Sequence, residues 1–177
     1  MKEKFDILDI NGTATGQTAV KGTPLSDGLY YLGIHVYIYN SGGEFLLQQR
    51  SYDKEFLPGG WDVLLEHVIA GETSSDGAIR GVKEEIGLSV TEHSIRFAGR
   101  YVWDAYHHMI DIYFLNADIA INNLTLQSTE VINAKMIPLE EMLRHVSNMD
   151  YRPAEYRRFI LNEINRISGE IQVKNHV

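Results

Sequence analysis

The segment from Gly71 to Leu88 constrains this chain more than any other. Thr73 to Ile86 has the apolar spacing of a helix. Thr73 and Asp76 sit at capping-box spacing, and Gly87 supplies a C-terminal stop. At about 100° per residue, Ala78, Ile79, Val82 and Ile86 gather into one core-facing stripe. Glu84 and Glu85 lie beside that stripe with Gly81 between them, and Arg80 stands one turn before Glu84. Such a helix must lay its apolar stripe on another element while holding two carboxylates at the edge of the contact. Adjacent carboxylates repel unless water solvates them or a cation neutralises them. Hard oxygen ligands suit magnesium or manganese, which keep waters and bridge to substrate phosphates. The plain alternative is a wet acidic helix face. Gly77 and Gly81 each weaken the helix by roughly 1 kcal/mol relative to alanine, with no local folding advantage.

The flanks read as a mixed α+β chain. Phe5–Ile10 is a predicted strand followed by an Asn11-Gly12 turn, and Thr23–Gly28 is a loop. Tyr30–Tyr39 and Glu44–Arg50 form a hairpin across Asn40-Ser41-Gly42-Gly43. Ser51–Gly60 is a loop, and Trp61–Ile69 is extended. Further strands are predicted at Ile95–Val102, His108–Ala117 and Val131–Ile137, with a polar loop over Asn122–Thr129. Pro138 opens a helix striped by Leu139, Met142, Leu143 and Val146. Pro153 opens another, striped by Tyr156, Phe159, Ile160, Ile164 and Ile167. Strands outnumber helices and short turns join them, so a mixed sheet covered by helices is expected rather than a regular βαβ series.

Composition narrows the partners. The 177 residues suffice for one domain and one sizeable core, with 44% hydrophobic and 23% charged residues. A net charge of -8 argues against binding a nucleic-acid polymer, which needs clustered cations. It suits a small phosphorylated substrate met through a metal. With no cysteine, disulfides, thiolate metal sites and thiol nucleophiles are excluded. Met1 to Gly12 lacks the apolar run of a signal peptide, and no stretch is long enough for a membrane helix. A cytoplasmic protein without membrane contact is expected.

The spacing of Glu72, Arg80, Val82, Glu84, Glu85, Gly87 and Leu88 resembles the signature box of the Nudix (MutT-like) hydrolase family, here over residues 66–88. Gln48-Gln49-Arg50, Pro58-Gly59-Gly60-Trp61-Asp62 and Ile137-Pro138-Leu139-Glu140-Glu141 resemble the same family. The resemblance implies a mixed β-sheet sandwiched between helices over residues 1–177, with an N-terminal hairpin extension at 1–28. It implies magnesium- or manganese-dependent hydrolysis of a nucleoside diphosphate or other X-linked diphosphate. Glu84 and Glu85 would hold the metal, and Arg80 and Glu72 would brace the loop and the acidic cluster. Family habit points to a homodimer.

Two box positions depart from the family pattern. Glu66 stands where the box opens with glycine, and Gly81 where a glutamate follows the arginine. Gly81 removes one ligand or base; Glu66 is the candidate to bring a carboxylate back as a metal ligand. The competing expectation is a degenerate domain that binds a diphosphate or a partner with little turnover.

Outside the box, Glu130 is a candidate to assist the attacking water, and Arg50 and Lys54 are candidates for the phosphates. Trp61 to Glu72 also resembles isopentenyl diphosphate isomerases, a branch using a cysteine and histidine ligands. There His67 falls near a ligand, whereas Leu65 replaces the cysteine, which excludes that mechanism. His107 and His108, adjacent on a predicted strand, would point to opposite faces and chelate poorly. Trp61, Trp103, Tyr101 and Tyr106 are read as core or rim aromatics or as a nucleobase platform.

Overall fold

The computed structural model describes residues 3–174. Residues 1, 2 and 175–177, which belong to the expected extension and domain ends, lie outside them. Two N-terminal strands, β1 (Lys4–Leu8) and β2 (Ala14–Val20), pair antiparallel; the residue pattern predicts only one strand here, over Phe5–Ile10. The hairpin joins the body through a Leu8–Tyr30 bridge and through Phe5, which packs on Tyr31.

The main sheet is built on β3 (Tyr31–Tyr39), which pairs in parallel along its whole length with β8 (His108–Asn116). Its other edge is shared. The first half of β3 pairs with β6 (Leu64–His67), and its end turns into β4 (Phe45–Arg50). The short β5 (Trp61–Asp62) and β9 (Val131–Ile137) pair with β4, and β7 (Ile95–Trp103) pairs with β8. The extended stretch expected over Trp61–Ile69 is therefore two strands serving different partners.

Alternation of side chains gives the sheet two buried faces. Ile34, Val36, Ile38, Leu46 and Leu64 meet the stripe of α1 (Ser74–Ile86), namely Ala78, Val82 and Ile86. Tyr37, Phe45, Leu47, Ile112 and Phe114 meet α2 (Leu139–Ser147) and α3 (Ala154–Lys174) through Met142, Val146, Tyr156, Ile160 and Ile164. This is the expected helix–sheet–helix sandwich. Among the described residues no helix is long and apolar enough to cross a membrane.

The ends of α1 follow the sequence. Thr73 caps Asp76 N, and Asp76 returns the bond to Thr73 N. Gly87 adopts the left-handed conformation at φ 73° and donates to Lys83 O. A Cβ there would lie 2.8 Å from Thr125 Cβ. Gly87→Ala is expected to cost about 2 kcal/mol or more, from the left-handed backbone and that collision. Urea denaturation checks it, and a loss under about 0.5 kcal/mol would contradict the account.

Candidate metal and phosphate site

Four elements carry the candidate residues to one place: α1, strand β6 and the ends of the paired strands β4 and β9. On β4, Leu46, Gln48 and Arg50 alternate toward α1 while Phe45 and Leu47 face the other core. Gln48 thereby meets Glu85, donating from Nε2 to its carboxylate at 2.7 Å. Both residues are 2% exposed. Glu85 was expected at the rim of the stripe, and it is buried. Burial pushes its carboxyl up to about 8; the Gln48 bond opposes this, and the fields of Glu66 and Glu130 add to it.

Arg80 gathers the rest. Its guanidinium meets Glu72 at 2.8 Å, Glu84 at 3.2 Å and Glu66 at 3.3 Å, and it donates to His67 O at 2.7 Å. Burial works against its charge, but the bond to Glu72 and the surrounding carboxylates outweigh it and raise its pKa. Glu72 also accepts from Ile69 N, which closes the turn into α1. The expected Arg80–Glu84 pair is present as one arm of a larger network, and Glu84 itself is exposed.

Glu66 lies on β6 opposite Ile34, a residue of the α1-facing core. It is half-buried, accepts from His67 N at 2.6 Å and has a raised pKa, chiefly through burial. Glu130 is delivered by a strap. The last carbonyls of a helix lack partners within it. Here Thr125 N donates to Ile86 O and Gln127 N to Glu85 O, which docks residues 125–127 on the end of α1. Glu130 N then bonds Gln127 O, and Glu130 O receives Ser51 N. The Glu130 carboxylate pairs with Lys54.

Arg50 is 7% exposed, so it is no surface cation. It donates from Nε to Phe56 O at 2.9 Å and holds the 51–60 loop. Sequence reading missed Gln48 and the strap. The period-two alternation of Leu46, Gln48 and Arg50 was the available signal for the first. The strap depends on a contact distant in sequence, and nothing local announces it.

The donor chemistry fits a hard divalent cation. Glu85 is a buried carboxylate met by one neutral donor. Gln48 Oε1 is buried and accepts no hydrogen bond among the described residues. The place a Cβ on Gly81 would take is already crowded by Cβ and Cγ of Glu66, at 3.0 Å. Among the described residues, no three His, Asp or Glu side chains already converge as a metal cage, since Glu66 and Glu84 lean on Arg80 and Glu130 on Lys54. An open site of this kind suits magnesium, which takes one or two carboxylates and completes its shell with waters and phosphates.

His67 lies elsewhere, under Phe5 and with Nε2 3.1 Å from His108 Nε2. Burial lowers its pKa to about 3 and keeps it neutral. Leu65, beside it, packs in the α3-side core. His107 precedes β8 in a left-handed conformation, so the two adjacent histidines are not both strand residues. Tyr101 and Trp103 pack on the core with Tyr156 and Tyr106 as neighbours, and Lys135 sits 4.8 Å over Trp61.

The profile of the NUDIX domain family matches residues 29–159. An uncharacterized Nudix hydrolase of Listeria monocytogenes is 34% identical over 92% of this chain and 93% of its own. An isopentenyl-diphosphate Delta-isomerase of Cereibacter sphaeroides is 29% identical over 82% and 85%. Among solved structures, DR0079 of Deinococcus radiodurans superposes with a TM-score of 0.71 at 16% identity, over 93% of this chain and 98% of that one. The NUDIX domain of Shewanella oneidensis NrtR, crystallised with ADP ribose, superposes with 0.54 at 15% identity, over 65% and 77%. These two structural likenesses concern the fold.

Proposed function

The chain belongs to the Nudix family, and from that premise we propose that it hydrolyses a nucleoside diphosphate or another X-linked diphosphate with magnesium or manganese. The observation that carries this reading is Glu85, buried against neutral Gln48 and within the fields of Glu66 and Glu130. Glu84, Glu85 and Glu66 would hold the metal. When bound, it would neutralise the diphosphate and make an attacking water more acidic.

The chain's own groups supply the remainder. Arg80 keeps Glu84 and Glu66 aimed at the site. Glu130 accepts the proton of the water as its oxygen bonds phosphorus, and the bridging P–O bond breaks to release the leaving phosphate. Lys54 meets that phosphate, and Arg50 fixes the 51–60 loop that presents Lys54.

Product release from a panel of nucleoside and non-nucleoside diphosphates, with magnesium, manganese or EDTA, tests the reading. The expected result is turnover of at least one compound that EDTA abolishes. A magnesium-dependent melting shift with ligand but no product across the panel would favour the binding domain instead.

A further inference from the structure

The two departures from the box face each other. A Cβ on Gly81 would lie 3.0 Å from both Cβ and Cγ of Glu66 and 3.3 Å from Leu64 Cδ2. Real Cβ atoms rarely sit so close, so any side chain at position 81 must push Glu66 aside. Glu66 cannot retreat freely. Its backbone is paired to β3 through Ile34, and its carboxylate is held by His67 N and Arg80. Within α1, Gly81 is a residue that the helix itself disfavours. Its neighbour across the contact therefore has to justify it.

We infer that Glu66 and Gly81 are one reciprocal exchange: the carboxylate absent from the helix at 81 is supplied from strand β6 by Glu66, and Gly81 is the space that admits it. This rests on the metal-dependent reading above. A carboxylate entering from β6 reaches the same α1 edge, where one guanidinium, that of Arg80, meets Glu66 at 3.3 Å and Glu84 at 3.2 Å. A side chain at 81 would occupy the space in which Glu66 stands. Restoring the box glutamate at 81 alone should therefore damage the site by crowding it.

The test is a cycle of Glu66→Gly, Gly81→Glu and the double variant, read as Mn2+ affinity from the free-Mn2+ EPR signal. Each single variant is expected to lose about tenfold or more, the scale of disturbing groups around a metal. The double variant should return to within about threefold of the native protein, a coupling that distant sites do not show. Tighter binding by Gly81→Glu alone, or a double variant as weak as the product of the two single losses, would overturn the exchange and leave the metal reading standing. Absence of Mn2+ binding by the native protein would remove both.

A second measurement tests the packing without metal and without a charged variant. In EDTA, Gly81→Ala should lower the melting temperature of the native protein. In the Glu66→Gly background it should raise it, by about 2–4 °C from helix propensity. The same sign in both backgrounds would mean that the residues do not share space.

Discussion

Glu85→Gln is expected to cut metal-dependent hydrolysis by about 10²–10⁴-fold while making the protein more stable in EDTA at pH 8. The two effects have one cause. The Glu85 carboxyl is buried against Gln48, and burial lifts it from 4.5 to about 8. A carboxyl whose folded pKa is raised favours the fold while it is protonated. Its stabilising contribution is complete below the unfolded value near 4.5 and is lost as pH rises through about 8. Ionising it in the fold costs on the order of 4 kcal/mol at the upper end of that window. Glutamine keeps the shape without the charge. The variant should therefore lack that decline, and its advantage over the native protein should widen from about pH 5 to about pH 8. Urea midpoints in EDTA across this range measure the stability, and initial rates with magnesium measure the loss of activity. Equal pH profiles for native and variant proteins would contradict the burial argument. An unchanged rate would remove Glu85 from the chemistry.

The largest loss of stability is expected at Arg152, on the other face of the sheet. Arg152 is 4% exposed; it donates to Asp62 at 2.9 Å and meets His35 Nε2 at 3.2 Å. Burial and the arginine charge hold the His35 pKa far down, so the ring is neutral and its Nε2 accepts. Nδ1 then carries the proton and donates to Tyr156 Oη at 2.6 Å, and Tyr156 passes a bond on to Tyr37 at 2.8 Å. The guanidinium lies 5.2–5.6 Å from the rings of Phe56, Trp103, Tyr151 and Tyr156, whose faces favour its charge. Arg152→Met leaves the Asp62 carboxylate buried and unpaired and costs about 3–5 kcal/mol. Adding Asp62→Asn should recover part of that, because the stranded charge is gone. Chemical denaturation reads both, and a single-variant loss below about 1 kcal/mol would show that water or another cation compensates.

How far the sequence reaches is clearest in α1. Its capping box and terminal glycine are local and appear where spacing placed them, as do Ala78, Val82 and Ile86 of its core stripe; Ile79, expected in that stripe, is only partly buried, whereas Glu85 is buried. Most strands are legible as apolar, aromatic or β-branched runs bounded by turns, but β2, whose residues Ala14–Val20 are mostly small, polar and exposed, carries no such run. Pairing is not local. Nothing in Tyr31–Tyr39 announces a parallel partner at His108–Asn116, and the division of Trp61–His67 between two neighbours depends on where β4 and β3 lie. The site divides likewise. Spacing singled out Arg80, Glu84, Glu85 and Glu66. The depth of Glu85 had to wait for Gln48, which approaches from a strand 37 residues earlier. Arg152 could not be read at all, since its partners Asp62 and His35 are brought to it by the sheet.

The most direct measurement is an anomalous difference map from crystals of the native protein soaked in Mn2+. The account predicts one strong peak at the α1 edge, with Glu85 and Glu66 oxygens as neighbours at about 2.0–2.3 Å, near the hard-cation range. A map whose peak avoids those carboxylates, or with no peak at Mn2+ concentrations that support turnover, would contradict it.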